Sequence, residues 1–179
     1  FINDYYSTPD SWSVKQSAHK VLTALNRWLY GQGQRFLEAE KGYVTTFSCV
    51  ILKSRSAYIF HVGDSRVWRF REGILEQLTR DHTARISSSQ NYLARALGID
   101  LNLDVDLKVV DLEPGDGFLL TTDGVHEFID QRTLQTALAQ GMATPDTLMA
   151  DLVQRALDNG SQDNLSCQWV QVTQLGQET

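Results

Sequence analysis

The sequence predicts an α+β fold in which antiparallel sheets stack on one another and helices lie on the outside. Three observations predict it. Between residues 43 and 78, runs rich in β-branched and aromatic residues are separated by two- and three-residue turns, the spacing of hairpins. Apolar residues recur at helical spacing in one stretch before this block and two after it. A final apolar run closes the chain, so strands and helices fall in blocks rather than in strict alternation.

Taken in order, Phe1 to Tyr6 reads as the tail of an earlier element. Thr8-Pro9-Asp10 has the form of a helix start, a capping hydroxyl followed by proline and an acid. Val14, Ala18, Val21, Leu22, Leu25, Trp28 and Leu29 then make one apolar stripe, stopped at Gly31. Strands are expected at Tyr43 to Lys53, Ser56 to Val62, Arg66 to Arg71 and Ile74 to Leu78, with turns at Ser54-Arg55, Gly63-Asp64-Ser65 and Glu72-Gly73. Thr79 to Gln90 is polar and expected as loop, and Tyr92 to Leu97 as a short helix stopped by Gly98. Two more strands, Leu101 to Leu112 and Gly117 to Thr122, flank the turn Glu113-Pro114-Gly115-Asp116. Helices follow at Gln131 to Gln140, capped by Asp130, and from Thr144-Pro145-Asp146 to Gly160. Leu165 to Thr173 is the last strand, and Gln174 to Thr179 is expected to fray.

The 179 residues suit a single domain over 1–179 with a real core, 42% being hydrophobic and 21% charged. A net charge of −6 argues against a nucleic-acid partner. No apolar run is long enough for a transmembrane helix, so no membrane partner is expected. Cys49 and Cys167 lie in apolar strand-like runs and are expected as buried, reduced thiols, which points to the cytoplasm. The chain opens on Phe1 rather than methionine, so it is expected to start partway through a longer product.

Three aspartates occupy corresponding places, where apolar strands meet tight turns. Asp64 lies in His61-Val62-Gly63-Asp64-Ser65-Arg66, Asp123 in Thr121-Thr122-Asp123-Gly124, and Asp163 in Gly160-Ser161-Gln162-Asp163-Asn164. In an antiparallel sheet one strand's start lies beside its neighbour's end, so all three can line one rim. Two unit charges about 4 Å apart repel by roughly 4 kcal/mol at an effective dielectric near 20. Such a cluster calls for protonation or a cation, and oxygen ligands suit hard divalent ions.

These signatures, in this order, resemble the metal-dependent (type 2C) serine/threonine protein phosphatases, with a bacterial-like cast. The resemblance is carried by Gly42-Tyr43-Val44-Thr45-Thr46, His61 to Arg66, Leu78-Thr79-Arg80-Asp81-His82-Thr83, Ala94-Arg95-Ala96-Leu97-Gly98, Pro114-Gly115-Asp116 leading into Thr122-Asp123-Gly124, and Asp163-Asn164. It implies an α-β-β-α sandwich, two stacked antiparallel sheets flanked by helix pairs and here lacking the family's first strands. It implies two Mn2+ or Mg2+ ions that activate a water against the phosphorus of a phosphoserine or phosphothreonine in a protein substrate. Asp123 and Asp163 carry over as ligands of the metal pair. Asp64 carries over as ligand of a further, weaker ion shared with Asp123. No side chain is carried over as a catalytic group, and Arg66 is expected to hold its turn. The family's first motif, with further metal ligands and a phosphate-gripping arginine, would precede Phe1, so the chain as given is expected to be impaired. Residues 84–91 are fewer than the family's flap, which puts its gating role in doubt.

Other readings compete. A catalytically inactive relative serving as a partner-binding regulatory module is the main alternative, and fusion to or pairing with a protein kinase is a further possibility. Asp100, Asn102, Asp104, Asp106 and Asp111 have calcium-loop spacing, but Val105 stands where that loop needs glycine, so an amphipathic strand is the better reading. Ser17-Ala18-His19-Lys20 fits Ser-x-x-Lys without a supporting motif and is expected on the polar face of the first helix. His61 and His82 are expected to brace turns by hydrogen bonds, and the four tryptophans to fill core or sheet faces.

Overall fold

The computed structural model describes residues 1–35, 42–87, 90–141 and 144–175. They form two compact units. One gathers Phe1–Phe47, His61–Gly63 and His82–Asp106; the other gathers Ser48–Phe60, Asp64–Asp81 and Leu107–Thr179.

The second unit carries most of the residues of the stacked sheets. Strands β1 (Phe47–Lys53), β2 (Ser56–Val62) and β7 (Asp106–Asp111) form one sheet in the order β1-β2-β7. Strands β3 (Arg66–Arg71), β4 (Ile74–Gln77), β8 (Gly117–Thr121) and β9 (Cys167–Gln171) form another in the order β4-β3-β8-β9. Every neighbouring pair in the latter is antiparallel. Ser54 (φ 53°) and Glu72 (φ 49°) sit in the left-handed region, making the two-residue turns that close β1-β2 and β3-β4. Ala57 and Ile59 from the first sheet meet Val67 and Phe118 from the second, with Leu78, Leu112 and Val172, in the core between them.

The other face of the four-stranded sheet is covered by helices. Trp68, Phe70, Leu75 and Leu119 pack against Val125 and Ile129 and against residues of α4 (Gln131–Gly141) and α5 (Pro145–Asp158): Leu134, Leu138, Leu148, Leu152 and Ala156. Asp130 starts α4 as expected, its carboxylate accepting from the Thr133 N–H at 2.9 Å. Trp169 lies across Gly117, its ring filling the space where a side chain at 117 would stand. The indole nitrogen of Trp169 is buried without a hydrogen-bond partner among the described residues.

The first unit contains α1 (Ile2–Tyr6), α2 (Val14–Gly33), and a hairpin of β5 (Thr83–Ser87) and β6 (Gln90–Leu93). Several expectations are corrected here. Ile2 to Tyr6 is helical, with Phe1 at its N-cap. The long helix starts at Val14, not at Thr8, because Ser13 and Gln16 form a reciprocal capping box that Pro9 cannot supply. Gly31 does not stop it, since the helix runs on to Gly33. Ser17 faces inward and accepts from the Thr8 hydroxyl at 2.7 Å, away from the polar face. Within the segments expected as loop and then helix, Thr83–Ser87 and Gln90–Leu93 form the β5-β6 hairpin instead, because backbone pairing of Thr83 with Leu93 and of Ala84 with Tyr92 overrides local composition. Residues 101–105 are not strand, since the Asp100 carboxylate takes the Asn102 N–H into a local turn. Tyr43 to Thr46 is likewise irregular, with a single bridge from Thr45 to Leu97. Trp28 is exposed, stacked edge-on against Tyr43, rather than in the core. Cys49 and Cys167 are free but only half-buried. Of the tail expected to fray, residues 176–179 lie outside the described residues, as do 88–89 of the shortened flap.

Leu119 is fully buried between Trp68 and the helical layer. Leu119→Ala should therefore cost about 2–5 kcal/mol of unfolding free energy, measured as a lower urea midpoint at unchanged slope.

Candidate functional site

The register of the four-stranded sheet sets where the aspartates go. Arg66, at the start of β3, pairs with Thr121 at the end of β8, and Thr121 pairs with Cys167 at the start of β9. Asp64 lies two residues before Arg66, Asp123 two after Thr121, and Asp163 four before Cys167. All three therefore leave the same edge of the sheet.

The Asp123 and Asp163 loops are tied together. Thr122 N–H donates to the Ser166 carbonyl at 3.1 Å, and Ser166 N–H donates back to the Thr122 hydroxyl at 3.0 Å. The Ser161 hydroxyl donates to the Gly124 carbonyl at 2.9 Å. A β-carbon at Gly124 would come within 2.6 Å of the Asn164 carbonyl oxygen and 3.4 Å of Asp163 Cβ, so the two loops touch only because position 124 has no side chain. Asp123 opens a one-turn helix, α3 (Asp123–His126), with its Oδ1 accepting from the Gly124 N–H at 2.9 Å. Asp163 Oδ1 accepts in the same way from the Asn164 N–H at 2.7 Å. Each carboxylate is thus oriented through one oxygen.

Asp64 has a raised pKa. Burial raises its pKa first, and the charges of Asp123, Asp81 and Asp163 push the same way, against its own backbone hydrogen bond. The four carboxylates are electrostatic neighbours. Among the described residues, no group of three or more His, Cys, Asp or Glu side chains is arranged to hold a metal ion.

Asp81 is the residue that sequence reasoning missed as a member of this edge. Its signal was an acid just beyond β4, as Asp64 is just beyond β2. Arg66 meets it in a forked pair, Nε to Oδ1 at 3.0 Å and Nη2 to Oδ2 at 2.7 Å. Arg66 is therefore spent on Asp81, and its guanidinium also lies 5.7 Å from the Trp68 ring centre. Behind the edge, the Thr121 hydroxyl accepts from Trp68 Nε1 at 3.0 Å and lies 3.0 Å from His126 Nδ1. Burial, then the Arg66 charge, brings the His126 pKa down to about 4, so its imidazole is neutral at physiological pH. His82 braces the Gly63 turn, accepting from the Gly63 N–H at 3.1 Å.

The chain belongs to the protein phosphatase 2C family, whose sequence profile matches residues 5–168. It is 29% identical over 168 residues to the serine/threonine phosphatase stp of Listeria monocytogenes, covering 84% of this chain and 65% of that protein. It is 28% identical over 148 residues to protein phosphatase PhpP of Streptococcus pneumoniae, covering 72% of this chain and 58% of that one. The chain thus spans less than two thirds of the length of these curated relatives. The solved structure of the S. agalactiae serine/threonine phosphatase superposes with a TM-score of 0.81 at 24% identity, over 93% of this chain and 76% of the other. That likeness establishes the α+β fold of stacked antiparallel sheets.

The raised pKa of Asp64 has a consequence for stability. A carboxyl that ionises less readily when folded destabilises the native state wherever it is charged, and this cost disappears as pH falls below its unfolded value. Without divalent cations at pH 7, Asp64→Asn should raise Tm. The gain should shrink on acidification and vanish below the ordinary value of 3.8, as followed by calorimetric melting across pH.

Proposed function

We propose that this chain supplies the catalytic edge of a metal-dependent protein-serine/threonine phosphatase, which hydrolyses phosphoserine and phosphothreonine in protein substrates. One observation carries the reading: the β3-β8-β9 register delivers Asp64, Asp123 and Asp163 to one sheet edge. Family membership supports it independently.

The donor set fits Mn2+ or Mg2+. Carboxylate oxygens are hard ligands, and the Asp64 pKa, raised by burial first and by its acidic neighbours next, marks a partly buried negative charge that a divalent cation would offset. Asp123 and Asp163 would hold the metal pair, and Asp64, with Asp123, a further ion. When bound, the ions supply a water of lowered pKa and screen the phosphate's charge. The chain's own part is positional. Thr122 and Gly124 hold the Asp123 and Asp163 loops in register, and Asp81 keeps Arg66 along the sheet edge. The Thr121 hydroxyl behind the edge stays in hydrogen-bond reach of both Trp68 and the neutral His126. A protein kinase, separate or fused to the same chain, supplies the substrate. The reduced thiols favour the cytoplasm, Cys49 being raised to about 12 by burial, which keeps it protonated. No helix among the described residues is long and apolar enough to cross a membrane.

The test uses the full-length protein and a phosphothreonine peptide. Phosphate release should require added Mn2+ and fall by more than ~100-fold in Asp123→Asn, because several kcal/mol of transition-state stabilisation travels with the metal and about 1.4 kcal/mol is tenfold in rate. Turnover that needs no divalent ion, or that survives Asp123→Asn, rules the reading out.

A further inference from the structure

The residue before Asp64 is held unusually firmly, and by one partner. Gly63 has φ +120°, a conformation L side chains rarely adopt, and a β-carbon there would come within 2.5 Å of the Thr46 side chain. Both of its backbone polar groups go to His82. The Gly63 N–H donates to His82 Nδ1 at 3.1 Å, and the His82 backbone N–H donates to the Gly63 carbonyl at 2.7 Å. His82 is itself buried, and its carbonyl accepts from the Ala94 N–H at 2.7 Å, which fixes it to the end of β6.

The ring can serve Gly63 only in one tautomer. Nδ1 must be the bare nitrogen, so the neutral ring carries its proton on Nε2. Asp106 Oδ2 lies 3.0 Å from Nε2, placed to accept that proton's hydrogen bond. Arg95 donates to Asp106 Oδ1 at 2.8 Å and to the Asp104 carbonyl at 2.6 Å, which orients the carboxylate. Burial pulls the Asp106 pKa up, but the hydrogen bonds from Arg95 and His82 outweigh it and leave the group below the usual carboxylate range. Asp106 is therefore an anion at neutral pH. Arg95 Nη1 also lies 3.0 Å from Nε2; with the proton on Nε2 that contact is not a hydrogen bond, and Arg95 acts through Asp106.

We propose that His82, held in a single tautomer by Asp106 and Arg95, is a positioning residue that fixes the Gly63-Asp64 peptide and so the direction of the Asp64 carboxylate. The inference takes the role of Asp64 from the function proposed above. It adds a relay, Arg95 to Asp106 to His82 to Gly63, in residues outside the carboxylate edge. Residues that orient a metal-binding group in this way typically contribute about 10- to 100-fold in affinity or activity.

Two measurements on the full-length protein test it separately from phosphatase activity. Nitrogen-15 spectra of the His82 ring should show the proton on Nε2 in the wild type. Amide exchange at Gly63 should be slow in the wild type, at least about 10-fold faster in His82→Ala, and restored in His82→Asn, whose side-chain oxygen replaces Nδ1 as acceptor. A proton on Nδ1, or Gly63 exchange unchanged in a folded His82→Ala, overturns the relay whatever the enzyme does. If His82→Ala does not fold, Asp106→Leu is read in its place, with loss of the Nε2–H tautomer expected and its persistence contrary to the proposal. Calorimetric Mn2+ titration then reads the consequence. His82→Ala should weaken the weakest Mn2+ step about 10- to 100-fold while His82→Asn stays near wild type, and KM for the phosphopeptide should hold. Equal Mn2+ affinity in all three proteins, with the Gly63 effect intact, would show that the clamp does not govern Asp64. Absence of Mn2+ binding in the wild type would instead refute the metal-dependent reading.

Discussion

Repulsion among carboxylates at one edge of the β4-β3-β8-β9 sheet is the constraint on which the rest of this structure turns. Burial and the charges of Asp123, Asp81 and Asp163 all act against ionised Asp64. A flexible surface would let such groups move apart into water. Here they cannot, because Arg66, Thr121 and Cys167 are locked side by side in the ladder and the turns leaving them are short. The cores on both faces of the sheet keep that ladder rigid. Compensation within the chain is partial. Arg66 is committed to Asp81, and His126, which sits just behind, is held neutral by burial and by Arg66 itself. The remaining negative potential is what a divalent cation would neutralise in the function proposed above.

Much of the fold was legible because its local signals agree. The hairpins around Ser54-Arg55 and Glu72-Gly73, the Asp130 cap and the Pro145 start all fall where turn and cap chemistry place them. The misses share a cause. At Thr8-Pro9 a plausible start signal competed with the better capping box at Ser13-Gln16, four to five residues on. At Thr83 to Leu93 and at Leu101 to Val105, composition and period two misled, since pairing partners and a local Asp100 turn decide the backbone there. Trp28 shows the limit of the helical stripe, which continues beyond the region that is actually covered.

The site divides similarly. Asp64, Asp123 and Asp163 stood out because each follows or precedes a strand in a distinctive turn, and register then gathers them. Asp81 carried the same kind of signal but was read only as part of a motif. The relay behind Gly63 was beyond reach of the sequence: Asp106 is 24 positions from His82 and was assigned to a strand face by its alternation with Leu103, Val105 and Leu107. Only the fold shows that this aspartate turns toward an imidazole.

Trp169 and Gly117 illustrate how the sheet limits the ways this chain can change. The indole occupies the volume that any side chain at 117 would need, and its N–H is buried without a partner among the described residues. An unmatched donor of that kind costs about 1–3 kcal/mol, which the ring's contacts with Phe70 and its neighbours offset. Neither position can drift alone, since growth at 117 meets the ring and shrinkage at 169 opens a void over bare backbone. The two sites form one heritable unit, accessible to evolution only as a paired exchange.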